Sequence, residues 1–474
     1  MELASIEAII NTLKVAGMGL LGGCFLGVVF SIASLHIKAI DSALGGLIFY
    51  LFSSPLIVLV WIIHAWITNT TWASFIFVSL VIAFPFYDQL KRGLRESPVP
   101  YIETVFVSGG NNLAASFYVR VWNSLPYLAS GLQASWPAAF LAALLSDTAS
   151  GVHPSLGSYI TGSIGQGSIT NKIYIALICS LIGFAGHELA GRLVRLTNKK
   201  FTSSESGFYQ GRKYSHSNSE TSRSWNISVT LFKYVISPLV VWHLWATAFP
   251  EILPALSPIK IYSFIFHEDE GLTHLKTLGN ALNTTLLYSF FGLLATVAIV
   301  YMLNILLLVS NKIMSAIDLG MLAFQSTPII AWLGLLRLLQ GEEMLMSVTT
   351  AVTASIFPAY VFVKNRVKSI PHSFSLPVRI AGGDEMHVLR YIKMPIFLAS
   401  LPEVISVVGP RVVLGVMLTE YFLTYKGLGG LMAYNRVGGD REFWWLIIVS
   451  VSCMSIVFYV SKNMARYLSV RLRN

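Results

Sequence analysis

The five residues HELAG, from His187 to Gly191, raise the first chemical question. A zinc protease carries His-Glu-x-x-His on a helix, so that two imidazoles one turn apart grip the metal and the glutamate serves as base. Here position 191 is Gly, the second ligand is missing, and a structural histidine is the better reading. GSIGQG at 162–167 runs Gly-x-x-Gly-x-Gly, which is not the dinucleotide fingerprint. His64 and His243 stand alone among Trp and Ile and read as hydrogen-bonded core or interface groups. Cys24, Cys179 and Cys453 all fall in apolar runs, which predicts neither a disulfide framework nor a metal site. No Gly-x-x-x-x-Gly-Lys-[Ser/Thr] phosphate loop occurs, so the chain is not expected to hydrolyse ATP itself, and neither a catalytic constellation nor a cofactor is expected. What remains are ionisable groups within apolar sequence: Asp147, Arg411 and Glu420. Charges are costly in lipid, so such residues are functional candidates by default.

The elements that must position these groups are membrane helices. Only 12% of the 474 residues are charged and 54% are hydrophobic, where a soluble chain carries about 25% charged residues. Mean hydropathy is +0.65. Apolar runs of about 20 residues recur, each able to cross a bilayer as a helix. They predict an all-α polytopic membrane protein with eleven spans, near 9–33, 44–67, 72–88, 126–147, 172–194, 227–249, 281–309, 316–339, 344–363, 402–423 and 443–463. The first begins behind Glu2 and Glu7 without a basic leader, and reads as a retained span rather than a signal peptide.

Lys and Arg counts set the orientation. The segment from Arg192 to Trp225 holds seven basic residues against Glu205 and Glu220. The tail from Lys462 holds four and no acidic residue, whereas the loop from Glu251 to Asn280 holds two against Glu251, Glu268, Asp269 and Glu270. The polar segment and the C-terminus are therefore expected in the cytoplasm and the N-terminus outside. Basic juxtamembrane loops account for the +10 net charge without any nucleic-acid partner.

The Ser-rich stretch 201–225 reads as a tether between residues 1–200 and 226–474. The two parts repeat one another at an offset of 273: Ser53 falls on Ser326, Pro55 on Pro328, Phe84-Pro85 on Phe357-Pro358, Lys91 on Lys364, and Gly109-Gly110 on Gly382-Gly383. Asp147 falls on Glu420. Five spans, a tether and six spans form parallel repeats about an axis along the membrane normal. Both Gly pairs lie in long cytoplasmic loops, 89–122 and 364–400, that start basic and carry a Pro eleven residues before the glycines. A Gly pair allows a tight turn, and DEMHVLRYIKM after the second pair is amphipathic as a helix. Two matched copies point to an element displayed for a soluble partner rather than to a solvated connector.

These loops resemble the Glu-Ala-Ala…Gly motif of permease subunits of type I ATP-binding-cassette importers. IETVFVSGG places Glu103 six residues before Gly109, with Thr104 and Val105 in place of both alanines. In the second copy Leu376-Pro377-Val378 replaces all three motif residues, while Gly382 and the downstream Ile392 and Pro395 are kept; the first copy has Trp122 where that proline would fall. STPIIAWLGLLRLL with Trp332, and MLTEYFLTYKGLGGLM with Glu420, look like the nitrate/taurine/sulfonate branch. The resemblance implies a multi-pass protein of the cell inner membrane, with two permease halves fused around one pathway for a small anion or zwitterion. Its partners would be two cytoplasmic ATPase subunits and an extracytoplasmic substrate-binding protein. It implies ATPase coupling through Glu103, Gly109, Gly110 and Asn111 in the first loop, and Gly382, Gly383, Asp384 and Glu385 in the second.

Pathway candidates are Asp147, Gln325, Trp332, Arg411 and Glu420. Each has a plainer alternative. Asp147 and Glu420 could be hydrated at the outer interface or cap a re-entrant turn before Gly151 and Gly427. Arg411 could snorkel toward the cytoplasmic side. Gln325 and Trp332, seven apart, would share one helix face as packed core. An ion-coupled secondary transporter, which also uses repeats, is the alternative function, but it would concentrate charge and helix breaks at the midplane.

Overall fold

The computed structural model describes residues 6–37, 56–95, 99–166, 168–201, 257–267, 271–309, 327–338, 342–368, 376–395 and 401–438, with isolated positions at 97, 240, 243, 246–247, 317–318, 320–321, 325, 443, 445–447 and 449–451. Among them every regular element is helical. The chain is an all-α polytopic membrane protein: among the described residues six helices are long and apolar enough to cross a bilayer, within Ile6–His36, Thr70–Arg95, Tyr127–Ser150, Ile169–Leu193, Gly271–Leu303 and Glu343–Lys364. The expected tether at 202–225 and most of the expected spans 227–249 and 443–463 lie outside the described residues.

Helix α1 is Ile6–His36, α2 Leu56–Trp66 and α3 Thr70–Arg95. Its register explains why α1 sits against α3. The buried residues of α1 are Ala8, Thr12, Ala16, Gly19, Gly23, Gly27, Ser31 and Ser34, a stripe of small side chains at three- and four-residue spacing. Its bulky residues, such as Leu21 and Phe25, are exposed instead. In lipid, apolar bulk gains nothing from burial, and small residues let two backbones approach for van der Waals contact. A Cβ at Gly23 would fall 2.6 Å from Ile82 Cβ and 2.7 Å from the Ser79 carbonyl oxygen of α3.

The chain continues through α4 Val99–Val107 and α5 Asn112–Ala115, then a π-helical turn Ser116–Arg120 that runs into α6 Val121–Ser150. Then come α7 Leu156–Gln166 and α8 Ile169–Phe201. Beyond the tether are α9 Pro258–His267 and α10 Gly271–Val309. The segment read as an external loop at 251–280 is thus largely helical, because α10 starts ten residues before its apolar run. After α11 Ile329–Leu336 follow α12 Glu343–Lys368, α13 Leu376–Ile380, α14 Glu385–Val388, a second π turn Leu389–Lys393, α15 Leu401–Thr419, a third π turn Glu420–Thr424, and α16 Gly427–Gly438.

Helix ends keep the 273 offset. Thr70–Arg95 maps onto Glu343–Lys368, Asn112–Ala115 onto Glu385–Val388, and the π turn at 116–120 onto that at 389–393. Packing keeps it too: α1, α3 and α6 pack mutually, and so do α10, α12 and α15. Tyr87 accepts a hydrogen bond from Lys91 at 2.9 Å, and Lys364 lies over the ring of Tyr360 at the matched positions. The largest buried cluster draws on both repeats, including Ile57, Phe140 and Leu145 of one and Ile330, Met417 and Leu428 of the other.

The α1–α3 contact predicts a graded response. Gly23→Leu should lower the melting temperature of the detergent-solubilised protein, since overpacking costs about 1–3 kcal/mol. Gly17→Leu should leave it unchanged, because nothing lies within 4 Å of a Cβ there. Equal melting of both variants would show that α1 does not depend on this close approach.

Candidate functional site

The two Gly pairs close matching helix–turn–helix elements. In the first, Gly109 has φ +82 and Gly382 in the second has φ +81, a left-handed geometry that favours glycine. Gly109 N–H donates to Phe106 O at 3.0 Å and Gly110 N–H to Val105 O at 2.9 Å. Gly382 N–H donates to Arg379 O at 3.0 Å and Gly383 N–H to Val378 O at 2.9 Å. This pair of bonds is the Schellman arrangement, which satisfies the last carbonyls of a helix. The second glycine is needed for space: a Cβ on Gly110 would stand 2.5 Å from Val105 Cγ1, and on Gly383 2.7 Å from Val378 Cγ1.

The next residue starts the following helix. Asn111 Oδ1 accepts from Ala114 N–H at 2.9 Å, and Asp384 Oδ1 from His387 N–H at 3.0 Å. These are N-caps. The Asp384 carboxylate also lies 2.7 Å from His387 Nδ1. Hydrogen bonds from the His387 side chain and then its backbone hold its pKa below the usual carboxylate range. The ionised cap persists at neutral and mildly acidic pH and is lost only as pH falls through that lowered value. Glu385 opens α14, and Glu103 lies exposed on α4. Both elements leave apolar side chains uncovered: Val107 is 89% and Ile380 84% exposed, with Phe117, Tyr118, Met386 and Tyr391 also open.

A second matched arrangement lies within the membrane helices. Thr12 Oγ1 on α1 donates to Asp147 Oδ2 at 2.5 Å and accepts from the Leu156 N–H at 3.0 Å. Thr285 Oγ1 on α10 lies 2.8 and 2.9 Å from the two carboxylate oxygens of Glu420, and accepts from the Leu428 N–H at 2.9 Å. The Gly429 N–H reaches Glu420 Oε2 at 3.0 Å, and Gly157 makes the corresponding backbone bond to Asp147. Asp147 is 4% and Glu420 0% exposed. Both are buried, and each caps the first turn of the next helix, α7 or α16. The residues that sequence reasoning missed are Thr12 and Thr285, themselves 273 apart.

The repeats meet by exchange. α2 packs on α15 of the other repeat, and α11, its counterpart, packs on α6. Trp61 stacks on Tyr421 with ring centroids 5.9 Å apart. Thr327 donates to Ser180 at 3.0 Å and Arg337 to the Ile164 carbonyl at 2.7 Å. Gln325 and Trp332 do not share one helix: the chain breaks at Thr327 and Pro328, and Pro328 is the extended N-cap of α11. Trp332 is half-buried on α11, while Gln325 precedes the break. Arg411 lies mid-helix on α15, ten residues after Leu401 and nine before Glu420, rather than near one end.

His187 is buried with its Nε2 3.2 Å from Gln133 Nε2, and His64 Nδ1 lies 2.8 Å from Val60 O. Both are hydrogen-bonded packing groups. No cluster of three or more His, Cys, Asp or Glu suited to a metal occurs among the described residues.

Residues 310–474 match the family of binding-protein-dependent transport system inner membrane components. The matched stretch contains the second Gly-pair element, α15 with Arg411, and the Glu420 cap. Residues 1–309 lie outside it. No curated protein and no solved structure matches the chain.

The carboxylate caps predict the effect of removing one hydroxyl. Thr285→Val keeps the shape but leaves the Leu428 N–H and most of the Glu420 carboxylate without a partner, a loss of about 1–3 kcal/mol. Thr12→Val should act alike. Thermal unfolding in detergent checks both, with Thr284→Val, a half-buried neighbour whose hydroxyl donates to the Asn280 carbonyl of its own helix, as the comparison. A melting point unchanged in both cap variants would show that these networks do not hold α7 and α16.

Proposed function

We propose that the chain is the permease of a binding-protein-dependent, ATP-driven importer, with both halves of the translocation unit fused in one polypeptide. The observation that carries this reading is the pair of Gly-closed helix–turn–helix elements, displayed with uncovered apolar side chains at matched positions. One of them lies in the stretch that matches the importer family. Each is a rigid, capped knob of the kind that can seat in a cleft of a soluble partner. The sequence lacks a phosphate loop, so energy must come from that partner. The elements that exchange between repeats, α2 with α15 and α11 with α6, are the natural walls of a shared pathway.

In this reading residues 1–200 and 226–474 are the two halves, and the Gly-pair loops and the C-terminus face the cytoplasm of a cell whose inner membrane the chain spans. The partners are two ATP-binding-cassette ATPase subunits below and a substrate-binding protein above. Gly109, Gly110, Asn111, Gly382, Gly383, Asp384, Glu385 and Glu103 form the ATPase-facing surface. The resemblance of STPIIAWLGLLRLL and MLTEYFLTYKGLGGLM favours a small anion or zwitterion as cargo.

Native mass spectrometry of the complex purified through a tag on this chain tests the stoichiometry. One copy of the chain with two ATPase subunits is the expected mass. Two copies sharing two ATPase subunits, or no ATPase at all, overturns the reading.

The Gly turns give a second test. Nothing stands within 4 Å of a Cβ at Gly109 or Gly382, so a substitution there meets only the backbone penalty. A β-branched residue at φ near +80 is strained by about 1–3 kcal/mol, enough to misplace a docked knob but not to unfold the bundle. Gly109→Val and Gly382→Val should leave membrane expression intact while substrate-stimulated ATP hydrolysis and transport fall together. Ser217→Val in the tether should be silent. Wild-type transport by both glycine variants would remove the coupling role from these loops.

A further inference from the structure

The two cytoplasmic elements share a backbone but not a surface. At three exposed positions the offset joins like with like: Val107 with Ile380, Leu113 with Met386, and Tyr118 with Tyr391. At three others it joins opposites. Glu103 falls on Leu376, Phe106 on Arg379 and Phe117 on Arg390, and all six side chains are exposed. The first element thus offers an acid and two phenyl rings where the second offers an aliphatic side chain and two guanidinium groups. Arg390 lies over the ring of Tyr391, 5.8 Å from its centroid. The positive charge of the second element is therefore held beside an aromatic residue that both elements keep.

Because one chain carries both elements, every complex presents one of each. A symmetric dimer of short permeases would display the same element twice, and both clefts of its partner would meet one surface. Here a cleft seated on the first element never has to accept the second. The shared residues call for clefts of one shape, with an apolar floor for Val107 or Ile380 and room for a tyrosine. The unlike residues call for different rims. Carboxylates placed to pair with Arg379 and Arg390 would, in a second copy of the same cleft, lie against Phe106 and Phe117. A charge buried without its partner is strongly destabilising, and the carboxylate of Glu103 would repel it further. Mismatch of this kind is how an interface rejects the wrong partner.

We infer that the soluble partner is a pair of non-identical ATPase subunits. The subunit seated on the Gly382 element carries an acidic cleft rim, and the one seated on the Gly109 element an apolar rim with a basic group opposite Glu103. This rests on the importer reading and names the partner it requires. Complementary rim charges fix register and exclude the wrong partner, so each subunit has one seat and the complex assembles in one orientation.

The test uses the full chain in its own host cells, with the photoreactive p-benzoylphenylalanine placed at Val107 or at Ile380. After irradiation, the captured ATPase chains are identified by peptide mass spectrometry, their phosphate-loop peptides included. The two positions should crosslink to two different ATPase sequences. The peptide caught at Ile380 should hold more Asp and Glu than its counterpart caught at Val107. Adding Arg379→Glu and Arg390→Glu together should cut the Ile380 crosslink at least about tenfold, since losing close charge pairs costs that much or more. In the unmodified complex, native mass spectrometry should find one copy of each ATPase subunit, an arm that needs no variant. Crosslinking of both positions to one ATPase sequence, a mass with two identical subunits, or an Ile380 crosslink indifferent to the double charge reversal overturns the inference and leaves the importer reading standing. Recovery of no ATPase at all sinks both.

Discussion

A helix whose first turn is buried has a problem that a helix beginning in water does not. Its first N–H groups lack intrahelical partners, and no solvent is at hand to take them. This chain meets the problem twice with one device, a buried carboxylate bridged by a threonine from another helix. The threonine comes from the first long helix of each repeat, the carboxylate from the helix after the Gly-pair loop, and the amides from the short helix that follows. Three elements are thereby fixed to one another at one point: α1, α6 and α7 in one repeat, α10, α15 and α16 in the other. The position of α15 depends on this tie.

The copies are not identical, and the differences are chemically ordered. Asp147 lies ten residues before Gly157, whereas Glu420 lies nine before Gly429. The second copy has one residue fewer in its turn and one methylene more in its side chain. It also carries a π turn at 420–424, where the first stays α-helical until Gly151. Gly427 shows how tight the result is, since a Cβ there would collide with the Glu420 carboxylate. The cytoplasmic elements diverge in side chains while keeping their backbone: Glu103 faces Leu376 across the offset, yet the turn bonds agree within 0.1 Å.

Much of this was legible in the sequence because duplication turns single weak signals into pairs. Two glycines in a loop mean little, but the same two with the same proline at one offset predicted a turn that the structure shows in both places. Asp147 and Glu420 were picked out because charge in an apolar run is rare. Their partners were not, because threonine is common in such runs and its hydroxyl becomes informative only when tertiary packing brings it to a carboxylate more than a hundred residues away. The offset alone, Thr12 onto Thr285, could have raised it. The single helix face expected for Gln325 and Trp332 is absent for a different reason. Seven-residue spacing suits one continuous helix, but Pro328 between them starts a new one. The small-residue stripe of α1 is likewise invisible to a search for apolar faces, since in lipid the face that packs is the one with the least bulk.

A symmetric dimer of one short permease would place every side chain of its interface twice. A single chain carrying both repeats removes that constraint. One copy can keep Arg411 while the other keeps Ala138 at the matched position. The same freedom lets one cytoplasmic element keep Glu103 while the other drops its carboxylate. Backbone features that serve every copy alike, the Schellman turns and the threonine-bridged caps, stay matched. Side chains outside that shared backbone framework, such as Arg411 against Ala138 and Glu103 against Leu376, diverge.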